Sequence, residues 1–185
     1  MAEPVTVRRP TRADARRNFD ALLAAARDAF GEEGTAASLE DIARGAGVGI
    51  GTLYRHFPTR QALFEAVYVG EIEELVRVAG EVADRPAWEA LLAWLRQFAD
   101  YLVTKRAIAV ELDRQSEVMR ACREAMFAAG VPLLERAQAA GEVRPDLSFD
   151  DLIKLIAGVT SPGFADVAQR ERLISVALDG IRPRG

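Results

Sequence analysis

Apolar residues recur at helical spacing along most of the chain. From about Ala13 to Gly31, Phe19, Leu22, Leu23, Ala26 and Phe30 fall at i, i+3, i+4, i+7 and i+11, which predicts one amphipathic helix. Gly34 closes the connection after it. Ser38 is a good N-cap for a second helix carrying Leu39, Ile42, Ala43 and Ala46, with Asp41 as a shorter form of the capping-box acid. Gly45 and Gly47 end that helix, and Val48 plugs the turn with an apolar side chain. A third, short helix runs roughly from Ile50 to Phe57, with Leu53 and Phe57 inward and Pro58 as its stop. Thr59 then caps a long fourth helix marked by Leu63, Phe64, Val67, Tyr68, Ile72, Leu75 and Val76, reaching about Asp84.

Beyond the break at Arg85-Pro86, the segment from about Ala87 to Thr104 is apolar almost all round. Trp88, Leu91, Leu92, Trp94, Leu95, Phe98, Tyr101 and Leu102 leave only Glu89, Arg96, Gln97, Asp100 and Thr104 as a polar stripe. The pattern then predicts a short helix near Ala107 to Leu112 and a longer one from about Ser116 to Ala140, interrupted at Val131-Pro132. Gly141 and Pro145 end that run. Two last helices follow, about Phe149 to Thr160 with Ser148 as cap and about Ala168 to Ile181, separated by Ser161-Pro162-Gly163. No alternation of period two is long enough to make a strand, so the chain reads as all-α.

Composition narrows the function more than the fold. With 24 basic and 28 acidic residues the net charge is −4, which argues against a protein that coats nucleic acid non-specifically. Residues 1 to 70 hold nine Arg against nine acids, leaving fifteen basic and nineteen acidic residues for the rest, so the front is the less acidic part. Cys122 is the single cysteine, which excludes an internal disulfide and a cysteine-rich metal cluster and fits a reducing compartment; its plain reading is a buried, inert thiol. There is no 18-residue apolar run for a membrane span and no apolar core of a signal peptide, so a cytoplasmic protein without membrane contact is expected. A catalytic triad would have to use His56, the sole histidine, and no metal-binding or phosphate-loop spacing occurs. No catalytic residue, metal ligand or cofactor is therefore assigned.

The stretch Ser38–Arg60, SLEDIARGAGVGIGTLYRHFPTR, thus holds two short helices joined by a glycine-rich turn, the signature of a helix-turn-helix. Gly51, Thr52, Arg55 and His56 make a small, polar and cationic outer face on the second of them. Such a face suits a major-groove reader, because bulky side chains would hold the backbone away from base edges. Ahead of it, residues 1 to about 11 read as a flexible arm in which Arg8 and Arg9, with Arg12 just beyond, are placed to reach phosphates or a minor groove; a solvated tail fits equally. The long fourth helix connects reader to body, the geometry an allosteric switch needs.

The order of an amphipathic helix, LEDIARGAGVGIGTLYRHFPTRQALF and an all-helical body resembles the TetR family of bacterial transcriptional regulators. The motif match covers about residues 12 to 66, where the A-G-V turn, the T-L-Y-x-H-F helix and the following Pro and basic residue occur together; the body matches in helix count and length. The resemblance implies a three-helix DNA-binding domain over residues 12–58 and a ligand-binding and dimerisation domain over 59–185. It implies a homodimer that binds a palindromic double-stranded operator as a repressor and is released by a small, largely apolar effector. The DNA-facing set expected from it is Ser38, Ile50, Gly51, Thr52, Tyr54, Arg55, His56 and Arg60. Within that set Ile50, Gly51 and Thr52 stand at base edges, and Tyr54, His56 and Arg60 at phosphates, Tyr54 with its ring mostly in the core and its hydroxyl reaching out. Ile50 lies on the same side of the wheel as Leu53 and Phe57, so a core position fits it as well, and plain solvation fits Arg44 and Arg55.

For the effector, Trp94, Phe98, Tyr101, Met119, Cys122 and Met126 are candidate pocket walls, with core packing as the alternative, and Arg106, Glu111 and Arg114 are possible polar contacts. For the dimer, Ile156, Val159, Leu173, Ile174, Ala177, Leu178 and Ile181 of the last two helices are expected to pack across a two-fold axis; closing the monomer's own core is the alternative. A second function stays open at this point: a helical dimer that binds a protein or apolar small molecule without recognising DNA.

Overall fold

A computed structural model describes residues 6–7, 9–108, 116–160 and 166–183. Among these residues the chain is all-helical, with α1 (Ala13–Glu33), a 3-10 turn (Gly34–Ala36), α2 (Leu39–Gly45), α3 (Ile50–His56), α4 (Arg60–Glu81), α5 (Ala87–Ile108), α6 (Glu117–Ala139), α7 (Phe149–Thr160) and α8 (Val167–Asp179). Contacts divide it into two compact units, Met1–Glu73 with Val103–Cys122, and Glu74–Leu102 with Arg123–Gly185.

In the first unit the stripe Phe19, Leu22, Leu23, Ala26 and Phe30 is the buried side of α1. It meets α2 and α3 through Ile42, Ala43, Leu53 and Phe57, all nearly inaccessible, with the Phe19 and Phe57 rings 4.9 Å apart. The helix ends follow from the residues that cap them. Ser38 Oγ accepts from Asp41 N at 3.3 Å, and Thr59 Oγ1 accepts from Ala62 N at 3.1 Å. Gly47, at φ +70°, closes α2: its N–H reaches Arg44 O at 3.0 Å and the next N–H, of Val48, reaches Ala43 O at 3.0 Å, a Schellman stop that only a residue without Cβ enters freely. Two of the described residues before α1 are tied down. Val7 N donates to Glu73 Oε1 at 2.7 Å, and Arg9 donates to both Glu73 oxygens and to Asp20 Oδ1.

In the second unit, Trp94 of α5 donates to Leu75 O at 3.1 Å and stacks on Phe98 at 5.5 Å. Phe149 at the start of α7 lies 5.6 Å from Trp94 and 5.1 Å from Phe127. All three helices approach at Gly130, where a Cβ would fall 2.2 Å from Phe149 and 2.8 Å from Trp94. The α4–α5 turn is held from α6, since Arg136 donates to Ala83 O and Arg85 O and Glu142 Oε2 accepts from Trp88 N at 2.9 Å. α7 opens on a reciprocal cap: Asp151 N donates to Ser148 Oγ and Ser148 N to Asp151 Oδ2, each at 3.1 Å.

Three expectations about elements change. α6 runs through Pro132 unbroken. Pro132 and Ala128, one turn before it, are both exposed, so the carbonyl that loses its donor lies on the solvent side. α5 continues past Thr104 to Ile108, taking in Ala107 of the expected short helix; the rest of that helix falls outside the described residues. Thr104 is buried and Val103 is exposed, which reverses the end of the expected polar stripe. The separator Ser161-Pro162-Gly163 also falls outside the described residues, and Asp166, unrecognised in the sequence, caps α8 by accepting from Gln169 N at 2.7 Å.

Candidate nucleic-acid interface

α3 is only seven residues long, so its orientation comes from what it rests on. Leu53 and the following Phe57 are buried beneath it, and the His56 ring packs edge-on against Phe19 at 5.7 Å. That leaves Gly51, Tyr54 and Arg55 exposed on the other side, with Ile50, Thr52 and His56 half-buried at its margins. A Cβ added at Gly51 would meet nothing within 4 Å, so space beside the backbone there is open. The outer face is therefore small at Gly51, hydroxylated at Thr52 and Tyr54, and cationic at Arg55, a set that donates and accepts hydrogen bonds at a base edge and attracts phosphate. Charge is placed differently on the α1–α2 side. A shallow groove of about 530 Å³ floored by small residues there is rimmed by Asp28, Glu32, Glu33 and Asp41, which repel an anion.

Several expected contact residues are turned to other work. Tyr54 is 47% exposed, so its ring as well as its hydroxyl stands out from α3 rather than packing in the core. The Ser38 hydroxyl donates to Glu40 Oε2 at 3.1 Å while capping α2, so its one donor, which a phosphate would need, is used within the chain. Arg60 is not extended toward solvent: its Nη2 donates to Thr35 O and Ala37 O, each at 2.6 Å. Arg44 pairs with Asp41 one turn earlier at 2.6 Å. Arg9 is held by Glu73 and Asp20 rather than reaching outward; hydrogen bonding to Glu73, reinforced by its charge and by Asp20, raises its guanidinium further above the usual range. Arg12 is exposed at the start of α1, and Arg8 lies outside the described residues.

The aromatic candidates for an effector site form a packed corner. Trp94, Phe98 and Tyr101 are buried in succession, their neighbouring ring centroids 5.5 and 5.6 Å apart. Met126 is buried too. Met119 is half-buried and Cys122 fully buried, both in the first unit. Burial, with the charge of Glu73 adding to it, pushes the Cys122 thiol up to about 12, so it stays protonated and unreactive at neutral pH. Arg106 is exposed, while Glu111 and Arg114 lie outside the described residues. The pattern of apolar positions missed Phe127 and Gly130, whose spacing of three on α6 was the available signal.

The expected dimer face divides. Ile156, Ile174, Ala177, Leu178 and Ile181 are buried within the monomer and close its own core where α7 packs on α8. Val159 is half-buried and Leu173 is 39% exposed. The apolar residues left facing outward on these two helices are Leu155, Val167, Leu173 and Val176, the last two 39% and 67% exposed. Ile156, Ile174, Ala177, Leu178 and Ile181 thus lie on the inner side, and the outward apolar positions fall part of a turn away from them.

Comparison with known proteins finds a family match at each end of the chain. Residues 22–67 match the family described as bacterial regulatory proteins, tetR family, and residues 86–183 match the C-terminal domain of SbtR-like transcriptional regulators. An HTH-type transcriptional regulator of Staphylococcus aureus (strain MRSA252) is 31% identical over 83 residues, a match that spans 43% of this chain and 44% of that relative. Among solved structures, a TetR transcriptional regulator of Streptomyces coelicolor is 43% identical with a TM-score of 0.77, covering 90% of this chain and 99% of that one. A TetR transcription regulatory protein of Mycobacterium vanbaalenii is 34% identical with a TM-score of 0.71, covering 94% and 100%.

Proposed function

The chain belongs to the TetR family of DNA-binding transcriptional regulators, and from that premise we propose that it is a cytoplasmic repressor whose homodimer reads a palindromic operator through α3. The observation that carries the reading is the outward set Gly51, Thr52, Tyr54 and Arg55, held on a helix whose other side is anchored by Leu53 and Phe57. Thr52, with Gly51 and Ile50 beside it, takes the base edges. Tyr54, Arg55 and His56 take phosphates. Arg60 and Ser38 leave the contact set for the reasons of geometry given above.

A small effector is proposed to bind the helical body of residues 59–185 and lower operator affinity, with the reader being residues 12–58. The aromatic run Trp94, Phe98 and Tyr101 supports a largely apolar effector, and its close packing means that binding there has to displace side chains. For the dimer, we favour the outward residues Leu155, Val159, Leu173 and Val176 meeting a second copy of α7 and α8. No helix among the described residues is long and apolar enough to cross a membrane.

Selection from a pool of random duplexes tests the reading. Enrichment of one motif with two inverted half-sites, their centres roughly 34–36 Å or one helical turn apart, is the expected result. A pool that stays unenriched through every round, at salt low enough to favour phosphate contacts, refutes operator recognition and favours the helical dimer that binds a non-DNA partner.

A further inference from the structure

α4 begins at Arg60, and the side chain of this first residue turns back across the reader. Its Nη2 lies 2.6 Å from Thr35 O and 2.6 Å from Ala37 O. The guanidinium carbon stands 5.8 Å from the Phe30 ring and 5.3 Å from the Phe64 ring, which are themselves 4.5 Å apart. Thr35 and Ala37 belong to the connector between α1 and α2, and the next residue, Ser38, is the cap of α2. Ala37 is wholly buried, so its carbonyl has little access to water as an alternative partner. A planar cation lying near two aromatic rings while bonding two carbonyls is a use that guanidinium serves better than an ammonium.

Resting on the reading that α3 contacts DNA, we infer that Arg60 is a positioning residue for the helix-turn-helix rather than a phosphate contact. It acts through the Thr35 and Ala37 carbonyls, which fix where α2 starts; α2 packs on α3, so the same bonds fix the angle at which α3 is offered to the groove. The charge of Arg60 is used against backbone dipoles of the helix-turn-helix unit, with the Phe30 and Phe64 rings beside it.

The experiment compares R60K and R60Q with the wild-type chain, using a duplex selected with the wild type and a temperature at which circular dichroism finds each variant folded. R60K keeps the charge but not the planar fork. Positioning predicts that both variants bind the duplex roughly tenfold or more weakly, the equivalent of about one charge-assisted hydrogen bond. It also predicts that the slope of log K against log salt between about 50 and 200 mM is unchanged, because no phosphate contact is lost. In the DNA-free protein the amides of Ala37 and Asp41, bonded to Gly34 O and Ser38 Oγ, exchange with deuterium faster in both variants.

Wild-type affinity in R60K, with a slope shallower by about 0.9 in R60Q, assigns a phosphate contact instead and overturns the inference. Unchanged affinity in both variants makes Arg60 a local packing residue and overturns it too. Should the wild type enrich no duplex, the DNA reading fails on its own, and exchange still decides the clamp: unchanged rates at Ala37 and Asp41 refute it, and faster rates support it.

Discussion

Single residues carry the two sharpest constraints. Arg55 is exposed on α3 beside Tyr54 and lies opposite the Leu53 side that anchors the helix. Replacing it with Ala is expected to weaken binding across all sequences alike and to reduce the salt slope by about 0.9, whereas T52A changes which base pair is preferred at one position in each half-site. Anisotropy titrations against a set of single-base operator variants separate the two; an R55A protein with an unchanged slope contradicts the phosphate role. Gly130 is the second constraint. The overlap of an added Cβ with Phe149 and Trp94 predicts that G130A loses about 1–3 kcal/mol of stability in urea denaturation, and a neutral change would mean that the corner relaxes without cost. At this scale legibility was uneven. Leu53, Phe57 and the α1 stripe announce burial through spacing alone. Arg60 does not, because its two acceptors are backbone carbonyls 25 and 23 residues earlier, and no side-chain pattern records them. Tyr54 was misplaced for a related reason: on a seven-residue helix a wheel defines the inner side by two residues only.

Elements were the most legible scale because their ends are chemical. Ser38, Thr59, Ser148, Gly47 and Gly141 stand where the pattern placed caps and stops, and the two glycines have the positive φ that such stops require. α6 continues through Pro132 because the carbonyl of Ala128, which loses its donor, lies on the exposed side where water replaces the bond and the helix can bend away from the ring. The Ser148–Asp151 box ties one element to pH. Hydrogen bonding from the Ser148 side chain and backbone holds the Asp151 carboxyl below its ordinary 3.8, and the ion pair with Lys154, with Arg123 adding to it, does the same for Asp150. A carboxyl whose folded pKa is depressed stabilises the fold above its unfolded value, and that contribution fades as pH falls through 3.8 toward the lower folded value. Thermal melts from pH 7 to pH 2 are expected to show wild type more stable than D151A at pH 7, with the two converging below 3.8. A difference that persists undiminished at pH 2 contradicts the role of the charge.

At the scale of the whole molecule, the proposed operator reading requires two copies, and here the sequence spoke least. Periodicity located an apolar stripe on the last two helices but not which side of it would be spent inside the monomer, because both sides are apolar and only tertiary packing chooses. Leu155, Leu173 and Val176 are what that packing leaves outward. Introducing charge with L173D and V176D is expected to convert the dimer to a folded monomer in light scattering and to abolish tight operator binding, since one half-site contact replaces two. A double variant that remains dimeric moves the interface elsewhere. In the DNA-binding unit the turn and the caps were legible because they are local in sequence, whereas the packing of Trp94 against Phe149 and Gly130 joins three helices that no local pattern relates.

Equilibrium binding of the full-length protein to its selected duplex, compared with the same duplex carrying one scrambled half-site, tests operator reading by a homodimer most directly. Two α3 helices reading two inverted half-sites predict a loss of affinity on scrambling of at least about a hundredfold, from several mismatched base pairs at about 1–3 kcal/mol each. They also predict a linear fall of log K with log salt on the intact site. Equal affinity for the intact and scrambled duplexes would contradict the account.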